Sequence, residues 1–152
     1  MPRVDDVARV TVPIDTAIYA AGDLMSLAVE VPLVSVENFP SHITSLGVLD
    51  YDDQGGALWA IFFDSDPGVL GVVNAAMAIS DAQAERILGV VPVTAADYYD
   101  LGNQQWAQPQ FNPIKVRARD GTPSIWMALQ ARAASTYASG QMLFKVGTVK
   151  VE

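Results

Sequence analysis

The sequence predicts an all-β protein, a jelly-roll-like β-sandwich of about eight strands with one short helix around residues 81–88. Three observations carry this. Apolar residues recur at period two in short runs, as they do in strands with one buried face. Clusters of Asp, Asn, Gly and Pro divide those runs at turn-like spacing. One helix-start signature stands among them. Eight strands suit the two packed sheets of a jelly roll.

The elements follow in chain order. Val7 to Pro13 alternates loosely and ends in a proline, which an edge strand tolerates. Ala20-Ala21-Gly22-Asp23 is a turn. Leu24 to Val34 is a long strand, with Leu27, Val29, Val31 and Leu33 at period two. After Asn38-Phe39-Pro40-Ser41, Ile43 to Tyr51 alternates again. Its pattern places Ile43, Ser45, Gly47 and Leu49 on one side, and Leu46 and Val48 on the other. Asp52-Asp53-Gln54-Gly55-Gly56 is a hairpin signal, because glycine supplies positive φ and aspartate caps the bend. Ala57 to Phe63 is apolar at nearly every position, so it predicts a strand buried on both faces.

Asp64-Ser65-Asp66-Pro67-Gly68 turns the chain again. Ser80-Asp81-Ala82-Gln83 is a capping box, with Ala84, Ile87 and Leu88 as an apolar stripe and Gly89 as the stop. Val90 to Val93 is a short strand, and Asn103 to Asn112 a loop rich in Gln and Asn. Ile114 to Ala118 is a strand with Ile114, Val116 and Ala118 inward and Lys115, Arg117 and Arg119 outward. Asp120-Gly121 turns it into Ser124 to Arg132, and Gln141 to Val151 ends the chain. The whole is a single domain, 1–152, with a short N-terminal arm, 1–6.

Composition narrows the function. Nine Lys and Arg stand against seventeen Asp and Glu, a net charge of −8. That charge repels phosphate backbones and anionic lipid, so neither nucleic acid nor membrane is an expected partner. Only 17% of residues are charged, against about 25% in an ordinary domain, which points to weakly charged surface buried in an assembly, or to an efficiently packed sandwich with an ordinary surface. No cysteine is present, which removes disulfides and thiolate chemistry. The opening Met-Pro-Arg-Val-Asp-Asp lacks the apolar core of a signal peptide, and no run reaches the roughly 20 apolar residues of a membrane span.

Catalytic signatures are absent. The single His42 has no second histidine to share a metal, and no Gly-x-Ser-x-Gly elbow, P-loop or dinucleotide fingerprint occurs. The carboxylates fall in two turns, Asp50/Asp52/Asp53 and Asp64/Asp66. These flank one strand and so lie about 20 Å apart, at opposite ends of a sheet. Asp50 to Gly55 echoes the start of an EF-hand loop, but Ile61 occupies the position of its bidentate glutamate. Solvated turn carboxylates are the simpler expectation, and no cofactor or metal is expected.

Two segments are candidate contact regions. One is the N-terminal arm with Arg3, Asp5 and Asp6, since such arms order on binding. The other is the Gln/Asn loop. Asn103, Gln104, Gln105, Trp106 and Gln108 gather uncharged donors and acceptors there, with Tyr98, Tyr99 and Phe111 nearby. These aromatics suit a protein-binding hot spot, a sugar platform, or plain packing.

Several phrases form an ordered series: Ile14 to Asp23, Val48 to Gln54, Phe62 to Pro67, Ile79 to Ala84, Ile87 to Val91, Ala95 to Gly102 and Thr136 to Gly140. The series, spanning Val10 to Val149, resembles small structural proteins of tailed bacteriophages, of the capsid decoration (cement) type. The resemblance implies a non-enzymatic virion protein on the capsid exterior, made in the host cytoplasm. Its implied partners are the major capsid protein and itself, as a homodimer or homotrimer. A tail, baseplate or fibre-associated structural protein, with carbohydrate binding open to it, is the alternative.

Overall fold

The computed structural model describes residues 4–32, 40–119 and 124–150. Among these residues, ten strands form two antiparallel sheets. They are β1 (Val4–Pro13), β2 (Leu24–Pro32), β3 (Ser41–Asp50), β4 (Leu58–Phe63), β5 (Ile87–Val93), β6 (Tyr98–Asp100), β7 (Gln105–Ala107), β8 (Ile114–Val116), β9 (Ser124–Ala131) and β10 (Gln141–Lys150). One sheet runs β1-β10-β3-β7-β6, and β8 pairs with β3 below β7. The other runs β2-β9-β4-β5.

The pairing is nested. β1 lies on β10, β2 on β9, β3 on β7 and β8, and β4 on β5. The first half of the chain is thus zipped to the second half in reverse order. Successive rungs of this long ribbon fall into alternate sheets. That is a jelly roll, as the sequence predicts.

The core lies between the sheets. Val12, Ile43, Val48, Leu58, Phe62, Met127, Leu129 and Phe144 are fully buried there. β4 is apolar on both faces for a visible reason. Leu58, Ala60 and Phe62 face the core, while Ile61 and Phe63 face outward into a second cluster with Leu24, Leu70 and Ala128. The segment 64–80 folds over that outer face. It is tied down by Leu24 N–H to the Ala75 carbonyl (2.8 Å) and Asn74 N–H to the Leu24 carbonyl (2.8 Å).

Four expectations change. β1 begins at Val4, so Asp5 and Asp6 lie in a strand, opposite Val149 and Thr148, rather than in an arm. In β3 the pairing jumps from Ile43–Thr148 to Ser45–Gly147, leaving Thr44 as a bulge. The bulge reverses the alternation, so Ile43 joins Leu46 and Val48 on the inner face. Register shifts in β2 likewise turn Leu27 out to solvent, although Val31 stays buried. The helix α1 covers only Asp81–Ala84. Its capping box forms, and Gln83 also reaches the carbonyls of Pro67 and Val69 (both 2.8 Å). Ile87 and Leu88 leave the helix for β5, where the valine-rich run Ile87 to Val93 pairs with β4.

Candidate functional site

The Gln/Asn segment is a hairpin rather than a loop. β6 and β7 pair Tyr98 with Ala107, Tyr99 with Trp106 and Asp100 with Gln105. The turn between them closes by Leu101 N–H to the Gln104 carbonyl (2.9 Å), and the Asp100 carboxylate accepts the Gly102 N–H (2.8 Å). Upstream, the Asp97 carboxylate accepts both the N–H and the hydroxyl of Thr94, at 2.7 and 3.0 Å. The hairpin therefore enters and leaves on fixed geometry.

Its side chains divide by role. Tyr98 points inward and donates to the Gly56 carbonyl at 2.9 Å. Burial pushes its phenol well above the ordinary tyrosine range. Phe111 packs against the main core. Gln105 donates to the Asp53 carboxylate at 2.8 Å, locking the hairpin to the 50–56 turn. These three are structural.

Tyr99 and Trp106 face outward. Tyr99 is 63% exposed and stands directly across from Trp106. Trp106 in turn opposes Leu49 of β3. Its indole lies over Gly47, where any Cβ would collide with the six-membered ring. The Lys145 ammonium approaches within 5.6 Å of the ring centroid, and the indole N–H reaches the Gln108 carboxamide at 3.4 Å. Asn103 and Gln104 lie exposed at the tip. The outer face of this sheet thus ends in a phenol, an indole and several carboxamides. They offer apolar contact and neutral hydrogen bonds on a rigid support.

Of the residues named from the sequence, Tyr99, Gln104, Trp106 and Gln108 come together with Asn103 at this edge. Asp5 and Asp6 lie in β1, at the opposite edge of the same sheet, four strand spacings or roughly 19 Å away. Arg3 lies outside the described residues. Sequence reasoning missed Gly47 and Lys145, although a glycine inside a strand pattern is itself a signal of close approach.

The acidic turns are structural. Asp50 is fully buried instead of solvated, and its carboxylate accepts the N–H groups of Asp52, Gln54 and Gly55 at 2.8, 2.8 and 2.7 Å. Asp52 accepts the Ser139 N–H at 3.0 Å and its hydroxyl at 2.6 Å. At the other end of β4, Asp64 faces Arg119 at 3.9 Å and accepts the Ser65 hydroxyl. Among the described residues, no three His, Cys, Asp or Glu side chains are grouped to hold a metal ion. His42 stands in β3 opposite Lys115 and Val149.

No family model matches the chain, and no curated protein matches it by sequence. A solved structure of Maize Chlorotic Mottle Virus, revealed by single-particle analysis, is similar over 96% of this chain and 93% of that one. The identity is 9% and the TM-score 0.29, a likeness too distant to carry an argument.

Proposed function

We propose that the protein is a non-enzymatic virion structural protein of a tailed bacteriophage, binding the outside of the capsid and stabilising it. The observation that carries this reading is the Tyr99/Trp106 edge: an aromatic, carboxamide-rich face, with Lys145 as its neighbouring charge, on a rigid sheet of a protein whose net charge is −8. Protein interfaces favour such chemistry at their centre. An acidic chain suits the outer surface of a shell better than its DNA-facing side. The ordered phrases resembling phage decoration proteins point the same way. Repetition over a lattice would multiply many weak contacts through avidity.

The test is the copy number of this protein relative to the major capsid protein in purified virions. Decoration predicts a ratio between about one third and one, as lattice-wide binding requires. A few copies per particle would move the protein to the tail, where the exposed Tyr99 ring favours the second reading, a receptor or sugar contact. Trp106→Ala should weaken binding to assembled shells. Gly47→Ala should do the same by lifting the indole, although Gly47 itself offers a partner no side chain.

A further inference from the structure

Among the described residues the two sheets have five edge strands, and four are short or interrupted. β2 carries two register shifts, β5 carries one together with Pro92, and β6 and β8 are three residues long each. β1 differs. It pairs with β10 through ten consecutive residues without a shift, and it ends the sheet order. A long regular edge presents a row of N–H and C=O groups that can template another strand, and proteins usually disrupt such edges.

The charges on β1 fit a particular partner. In a two-fold antiparallel pair, the symmetry axis passes through one residue, which faces its own copy. An axis at Asp5 or Asp6 sets acid against acid, and one at Arg9 sets base against base. An axis at Ala8 puts Val7 against Arg9, and one at Val10 pairs Arg9 with Thr11. An axis at Val7 places Asp5 opposite Arg9 of the second copy, and Arg9 opposite its Asp5. Of the centres from Asp5 to Val10, it is the one that pairs acid with base, and it does so twice. Val7 itself is 57% exposed. At the end of β1, an open groove of about 390 Å³ is lined by Pro13, Ile14, Asp15, Leu27, Val29 and Val73.

We propose that β1 is a self-association edge, at which two copies of this chain pair antiparallel about Val7 to form one continuous sheet. This rests on the decoration-protein reading above and specifies the face for the self-association that the resemblance implies. It is tested in solution without capsid, so its failure and that of shell binding are separate results.

The experiment uses the full chain in sedimentation equilibrium. The wild type should have twice the 16.3 kDa mass of one chain. In the paired register, Arg9→Asp sets acid opposite acid, and Asp5→Arg sets base opposite base. Each should weaken self-association about tenfold or more, since like charges directly opposite repel. An equimolar mixture of the two variants should recover the dimer, because only the mixed pair matches both charges. Circular dichroism of each variant checks that the fold persists. A monomeric wild type, a trimer, variants that dimerise like wild type, or a mixture that fails to recover would each overturn the proposal.

Discussion

Removing the Asp50 carboxylate tests how the 50–56 turn is held. Asp50→Ala deletes three hydrogen bonds from backbone N–H groups to a fully buried carboxylate. Bonds to charged groups contribute about 1.5–3 kcal/mol each. The full sum overstates the loss. Gln54 is exposed and Asp52 and Gly55 are half-buried, so the freed amides can turn to water. The deletion also removes a buried charge. A net cost of about 3 kcal/mol follows. Asp50→Asn is milder. One carboxylate oxygen takes two of the bonds and the other takes one, so an amide oriented with its oxygen toward Gln54 and Gly55 loses a single bond. Its cost should be about 1–2 kcal/mol. Urea unfolding followed by tryptophan fluorescence gives both values, and hydrogen exchange at the Gln54 and Gly55 amides locates the effect. A cost below about 1 kcal/mol for alanine, or asparagine worse than alanine, would refute the reasoning.

Two further perturbations probe other layers. Leu70, in the 64–80 segment, is fully buried against the outer face of β4. Leu70→Ala should cost about 3 kcal/mol in urea unfolding while leaving far-ultraviolet dichroism unchanged; a cost under about 1 kcal/mol would mean that the second cluster does not support the sheet. Burial pushes the phenols of Tyr19 and Tyr137 up to about 12, and raises Tyr98 as well. A folded-state value above the unfolded one contributes stability that is intact below pH 10 and lost as pH rises toward about 12. The urea midpoint should therefore hold level up to pH 10 and then fall, in step with tyrosinate absorbance. A level midpoint to pH 12 would contradict the burial.

Turn chemistry and alternation carried most of the fold. The Asp52 to Gly56 turn, the two-faced apolar β4 and the capping box at Ser80 stand where local residues place them. The failures share one cause: pairing across the sheet overrides local pattern. Thr44 bulges because β10 sets the register, and no alternation within β3 shows it. The α1 stripe ends early because β4 offers Ile87 to Val93 a strand partner. β6 and β7 are three residues each, too short for periodicity to register. The site was legible as composition, in Tyr99, Trp106 and the amides. Its geometry was not, because the notch at Gly47 that seats Trp106 lies 59 residues upstream in the chain.

The nested pairing also sets an order on synthesis. β10 is the last of the described strands, yet it sits between β1 and β3. β9, next to last, sits between β2 and β4. While a ribosome is still adding these two strands, neither sheet has its connecting member. β1 to β4 then wait with open flanks, at a synthesis rate of about 5–20 residues per second. Folding dominated by such distant contacts is slow, on the order of milliseconds to seconds. The nascent chain is therefore most exposed to misassembly until β9 and β10 have been added, and its solubility should depend on how quickly these two strands emerge and insert.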